Sequence, residues 1–219
     1  MPFSHLFNQV FAVEAGIASA VALIVVVILV FACVRYRARP GSDREPSHRH
    51  DWSVLEGAYV VAVACMAVFL VWLSLTNLSK EQAASDRRPA LTVLVTGFQW
   101  CWRFTYEHHN ATVQGTCNNG TALQHLPTLV LPRGEPVRFD ITSNDVIHEF
   151  WLPYDDMKWE AFPNHINYYT ASFPKDGRWL GHCAEFCGLF HSAMLFWVKV
   201  ESPTAYRHWL ATHHGFDLV

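Results

Sequence analysis

Charge is scarce in this chain. Only 16% of its 219 residues are charged while 51% are hydrophobic, a balance that points to membrane segments rather than a wholly soluble protein. Basic residues are not in excess either. A formal net charge of −3 excludes nucleic-acid binding driven by bulk charge. No Lys or Arg precedes Arg35, so the apolar N-terminal stretch lacks the positive flank of a cleaved signal peptide. There is no internal repeat and no C-x-x-C-H, which excludes a covalently attached haem c on this chain. Six cysteines are too few and too scattered for a disulfide scaffold. Cys33 and Cys65 lie in apolar runs and read as plain buried residues. Cys101 and Cys117 remain as a candidate pair, outside the membrane where disulfides persist.

Long apolar runs are what the N-terminal third does have. Ala15 to Val34 and Gly57 to Ser79 are uncharged and each long enough to cross a bilayer as a helix. Residues 1–79 are therefore expected to form a transmembrane helical hairpin, with spans at about 12–34 and 56–78. Between them stand Arg35, Arg37, Arg39, Arg44 and Arg49, in a stretch broken by Pro40, Gly41 and Pro46. By the positive-inside rule this 35–50 loop is cytoplasmic, and both the N-terminus and everything after Lys80 are extracytoplasmic. Trp52 and Trp72 suit opposite membrane interfaces, and Glu56 lies at the cytoplasmic mouth of the second span.

Residues 80–90 are polar and read as a linker. Beyond them come short runs of Val, Thr, Phe, Tyr and Trp punctuated by Pro, Gly and Asn. Leu91–Phe98, Trp100–Tyr106, Thr128–Leu131, Val137–Thr142, Tyr168–Phe173 and Leu195–Glu201 are expected strands of a sandwich or barrel over 91–202. Residues 203–219 follow as a C-terminal helix and tail, with Ser202 as cap and Pro203 in the first turn.

The chemistry is concentrated in Gly181–Met194, where Cys183, Glu185, Cys187, His191 and Met194 spell C-x-E-x-C-x3-H-x2-M. Thiolate, imidazole and thioether together favour copper over hard ions. Two cysteines with three residues between them can bridge two metal ions, but the set then needs a second imidazole, and His148 is the best placed. A Cys183–Cys187 disulfide, a structural zinc and a chance cluster are the competing readings. Zinc more typically shows a C-x2-C knuckle and has no use for Met194.

This stretch resembles the dinuclear-copper (CuA) loop of cytochrome c oxidase subunit II, and other segments match that family in order. The resemblance implies a two-helix anchor carrying a cupredoxin Greek-key β-barrel. It makes Cys183 and Cys187 bridging thiolates and His148 and His191 terminal imidazoles, with Met194 and the Glu185 carbonyl as weak ligands. It also implies that the Glu185 side chain reaches a magnesium or manganese ion shared with subunit I. Trp100, in Gly97–Trp102, matches the tryptophan that receives the electron from cytochrome c, although Phe98 and Cys101 depart from the usual His and Tyr. Asp145, Glu149, Asp155 and Asp156 are expected to form an acidic surface that steers the donor. Glu56 corresponds to a glutamate at a proton-pathway entrance, with Val63 where the family usually has proline. Lys158–Asn167 matches a segment normally read K-x-D-A-x-P-G-R-x-N, with Asn164 for the glycine and His165 for the arginine.

The function so implied is electron transfer from cytochrome c to haem in subunit I, where oxygen is reduced and protons are moved. The copper subunit of a nitric oxide reductase would carry the same loop. A membrane-anchored copper carrier is the rival from another class, although it would need neither a bridging pair nor a tryptophan port. A quinol oxidase subunit is disfavoured because the copper ligands are present.

Overall fold

The structure, a computed structural model, describes residues 3–37, 52–85, 88–116, 126–213 and 215–218. It falls into two compact units, Asn8–Leu78 and the rest of the chain, Met1–Phe7 with Ser79–Val219. The first unit holds most of helices α1 (Phe3–Arg35) and α2 (Ser53–Ser85). Both contain a stretch long and apolar enough to cross a membrane, Asn8–Arg35 and Ser53–Lys80. Cys33 and Cys65 are free thiols on exposed helix surface, not buried as the apolar runs suggested. The helix α2 also continues to Ser85, into the 80–90 segment expected to be a linker. Its Lys, Glu, Gln and Ala residues are all good helix formers, and no Gly or Pro interrupts them. Glu56 helps to start α2, since its carboxylate accepts a hydrogen bond from the Trp52 backbone N–H at 3.3 Å. Arg39, Arg44 and Arg49 of the basic loop lie outside the described residues.

The C-terminal unit is a sandwich of two sheets. The first runs in the order β11-β3-β2-β1-β5-β8 and the second β4-β10-β9-β6-β7. The first sheet holds β1 (Leu91–Phe98), β2 (Cys101–Tyr106), β3 (Ala111–Gln114), β5 (Pro136–Ser143), β8 (Asn167–Ser172) and β11 (Gly215–Leu218). The second holds β4 (Thr128–Pro132), β6 (His148–Leu152), β7 (Met157–Ala161), β9 (Gly177–Cys183) and β10 (Leu195–Glu201). Helix α3 (Pro203–Thr212) follows β10, and the Ser202 hydroxyl caps it by accepting from Ala205 N–H.

Every expected strand is present, and five more were not anticipated. The shortfall has a local cause. In β6 and β9, polar residues and glycines interrupt the apolar alternation, as in His148-Glu149 and Gly177-Arg178. Ladder pairing imposed by the rest of the sheet overrides that weak local preference. Asn164 adopts a positive φ of 59°, as its place in the expected glycine position requires.

The core is aromatic. Phe150 and Phe196 of one sheet stack at 4.8 Å, and Trp102 and Phe104 of the other meet them edge-on. Gly181 makes room for this cluster, because a Cβ there would lie 2.1 Å from the Phe196 ring. Overpacking of this kind costs about 1–3 kcal/mol. Gly181→Ala should therefore lower the denaturant midpoint of the domain by about that much, as chemical unfolding would measure.

Candidate metal centre

The two strands β9 and β10 are antiparallel neighbours, with His182 opposite Leu195. The segment between them, Ala184–Met194, is thus a long loop whose two ends must meet. Cys183 N–H closes its mouth by donating to Met194 O at 3.0 Å, and Ala184 N–H ties it to Glu149 O of β6 at 3.1 Å. Pairing of β6 with β9 sets Phe150 opposite Cys183, which brings His148 alongside the same loop. A 3-10 turn at His191–Ala193 then folds His191 and Met194 inward.

Soft donors converge as a result. Cys183 Sγ and Cys187 Sγ are 3.8 Å apart. His148 Nδ1 lies 3.9 Å from Cys183 Sγ, and His191 Nδ1 lies 3.6 Å from Cys187 Sγ. Met194 Sδ is 3.8 Å from Cys187 Sγ, and the Glu185 carbonyl oxygen is 3.3 Å from Cys183 Sγ. The cluster is nearly dry: His148 and Met194 have no accessible surface, and both thiols are buried. Among the described residues, His148, Cys183 and Cys187 form the one group of such side chains close enough to hold a metal ion. Cys183 and Cys187 are free thiols here, with no disulfide between them.

Burial sets the electrostatics. It pushes the Cys187 thiol up to about 12, with Cys183 adding to the effect. Burial also lowers His148, outweighing the opposite pull of Asp145. Burial by itself would raise Asp145, but hydrogen bonds from Gln99, His148 and Val146 outweigh it and hold the carboxyl below its usual range. Two thiols, two imidazoles and a thioether in a dry pocket suit copper, and the donor set fits that metal chemically.

The aromatic port candidate is in direct contact with this cluster. Trp100 Nε1–H donates to the Cys187 carbonyl at 3.1 Å, and Gln99 Nε2–H donates to the same oxygen at 2.8 Å. Gly188, at φ 117°, admits the indole, since a Cβ there would sit 3.2 Å from it. Gly97 does the same for His148, whose ring carbon would be 3.0 Å from a Cβ. Neither glycine nor Gln99 stood out in the sequence, because the close approaches that need them join segments far apart in the chain.

The acidic residues are not one surface. Asp145 is exposed but committed to hydrogen bonds, and Asp156 is half-buried. Glu149 is 9% exposed and paired with Lys158 at 3.2 Å, while Asp155 is 3% exposed. Asp155 is held inward by a 3-10 turn at Pro153–Asp155 and cannot present its charge to a donor. Glu185 is exposed on the loop, with its side chain available to a neighbour. Cys101 is disulfide-bonded, and its candidate partner Cys117 lies outside the described residues.

A β-sandwich whose strand ends and connecting loop gather a Cys–Cys–His–His–Met set defines a cupredoxin-like domain with a candidate metal site at one pole. The family described as Cytochrome C oxidase subunit II, periplasmic domain, matches residues 91–201, and the chain belongs to that family. A probable cytochrome c oxidase subunit 2 from Streptomyces avermitilis is 32% identical over 209 residues, covering 80% of this chain and 64% of that protein. One from Rickettsia conorii is 29% identical over 205 residues, covering 90% of this chain and again 64% of the relative. Among solved structures, the periplasmic domain of subunit II of cytochrome oxidase from Bradyrhizobium japonicum superposes with a TM-score of 0.53 at 27% identity. That match covers 57% of this chain and 94% of the other.

Asp155 offers a test of the burial argument. Burial, reinforced by Asp156, raises its carboxyl to about 6. The folded protein then holds this proton more tightly than the unfolded chain, so stability falls as pH rises from about 4 to about 6. Asp155→Asn should remove that slope and raise stability at pH 7.5 by about 2 kcal/mol, as thermal or urea unfolding at several pH values would register.

Proposed function

We propose that the chain is the copper-bearing subunit of a respiratory haem–copper oxidase, accepting electrons from a cytochrome c and delivering them to haem in subunit I. There oxygen would be reduced and protons translocated. The observation that carries the proposal is the contact between the Trp100 indole and the backbone of Cys187, inside a donor set suited to copper. His148, Cys183, Cys187, His191 and Met194, with the Glu185 carbonyl, would hold two copper ions. When bound, the pair would supply a one-electron site shared between two metals.

The protein's own groups perform the rest. The closed loop mouth and dry walls hold the six donors in a fixed arrangement, which keeps geometry similar in both oxidation states. Trp100 offers a short hydrogen-bonded route from the surface to a ligand backbone. Asp145 and Asp156 carry the docking role, because Glu149 is paired and Asp155 is buried. The exposed Glu185 carboxylate would meet a magnesium or manganese ion at the boundary with subunit I, and that subunit would complete the coordination. Glu56, exposed near the start of α2, would stand at a proton-pathway entrance. The two helices would anchor the chain as a hairpin, with the copper domain and N-terminus outside and the Arg-rich loop inside.

Two measurements test this reading. Copper quantitation with electron paramagnetic resonance on the full chain in detergent should give two coppers sharing one unpaired electron, and a single copper would overturn it. Trp100→Ala should keep its copper yet slow reduction by cytochrome c severely in stopped-flow experiments. A copper-replete variant with normal transfer rates would remove the port assignment.

A further inference from the structure

Between β5 and β6 the chain turns through Asn144–Ile147, and Asp145 sits on this turn with its carboxylate directed back at the donor cluster. One oxygen, Oδ1, accepts from His148 Nε2–H at 2.8 Å and from the Val146 N–H at 2.7 Å. The other, Oδ2, accepts from the backbone N–H of Gln99 at 2.7 Å. The turn itself is pinned, since Asn144 N–H donates to Gly97 O and Asp145 N–H to Ser143 Oγ. An acceptor at Nε2 requires the proton to be there, which leaves the Nδ1 lone pair facing Cys183.

The contacts close into a ring. Asp145 holds Gln99, and Gln99 and Trp100 both donate to the Cys187 carbonyl. Cys187 lies against Cys183, Cys183 against His148, and His148 returns to Asp145. Each oxygen of the carboxylate therefore serves a different part of the machinery, and only a group with two acceptor oxygens can serve both. Asparagine would turn its N–H either toward the Gln99 N–H or toward the His148 and Val146 N–H groups. Alanine would leave all three without this acceptor.

We propose that Asp145 is a positioning residue that locks the His148 ligand and the Trp100 port into one unit, and that this role is separate from any attraction of the donor. The proposal rests on the reading of His148 as a copper ligand. Loss of a carboxylate bound to a ligating imidazole typically weakens metal binding by roughly 10–100-fold. A purely steering charge would leave the metal site untouched.

The test uses the full chain in detergent, reconstituted with copper, as wild type, Asp145→Asn, Asp145→Ala and Asp156→Asn. Three quantities are read: copper per chain, the optical and paramagnetic resonance spectra, and the rate of copper removal by a chelator. Both Asp145 variants should show altered spectra and copper loss faster by roughly 10–100-fold. Asp156→Asn should match wild type in all three. Asp145→Asn is nearly isosteric, and near-ultraviolet circular dichroism of each copper-free variant confirms that its fold is retained. Wild-type spectra and release rates in folded Asp145→Asn and Asp145→Ala would overturn the positioning role alone. A wild-type chain that takes up no copper would overturn the metal-site reading and this proposal with it.

Discussion

Two thiols, an imidazole and a thioether shut away from water are the constraint around which this domain is arranged. Polar and ionisable groups are not buried without partners or a compensating ion. Here the backbone must hold them in place as well as hide them. It does so by closing an eleven-residue connection at the Cys183–Met194 hydrogen bond and bracing it against Glu149 of the neighbouring strand. The loop is long, but its ends belong to one antiparallel pair, so its freedom is confined to the middle.

The aromatic core supports that closure. Phe150 and Phe196 lie on the two strands that flank β9, and their stack crosses Gly181 just before the first cysteine. Trp102 packs both against this stack and near the His148 ring. The positions of the metal donors are thus inherited from rigid strand packing, and not from the loop alone. Such a scaffold would suit the proposed copper centre, which has to change charge with little change in shape.

The residues proposed for electron entry and for donor recognition meet at one place in the unit. Trp100 and Gln99 reach the Cys187 carbonyl from the β1–β2 turn, while Asp145 reaches the same turn from β5–β6. A carboxylate that looks like a surface charge in the sequence is a structural crosspiece in three dimensions. Asp155 makes the opposite point, since a residue expected at the surface is enclosed.

The sequence by itself determined the two apolar helices, six of the strands, the capped terminal helix and the candidate donor types. These depend on composition, on alternation along a short stretch, and on a spacing confined to the twelve residues from Cys183 to Met194. It could also nominate His148, because the two-metal scheme needs a second imidazole. It could not show that Gly97 and Gly188 clear space for His148 and Trp100, that Gln99 shares the Cys187 carbonyl, or that the acidic residues divide into exposed, paired and buried. Nor could local pattern predict β6 and β9, whose polar residues and glycines suppress the strand signal. All of these are contacts between segments separated by tens of residues, and only the pairing of the two sheets decides which segments meet.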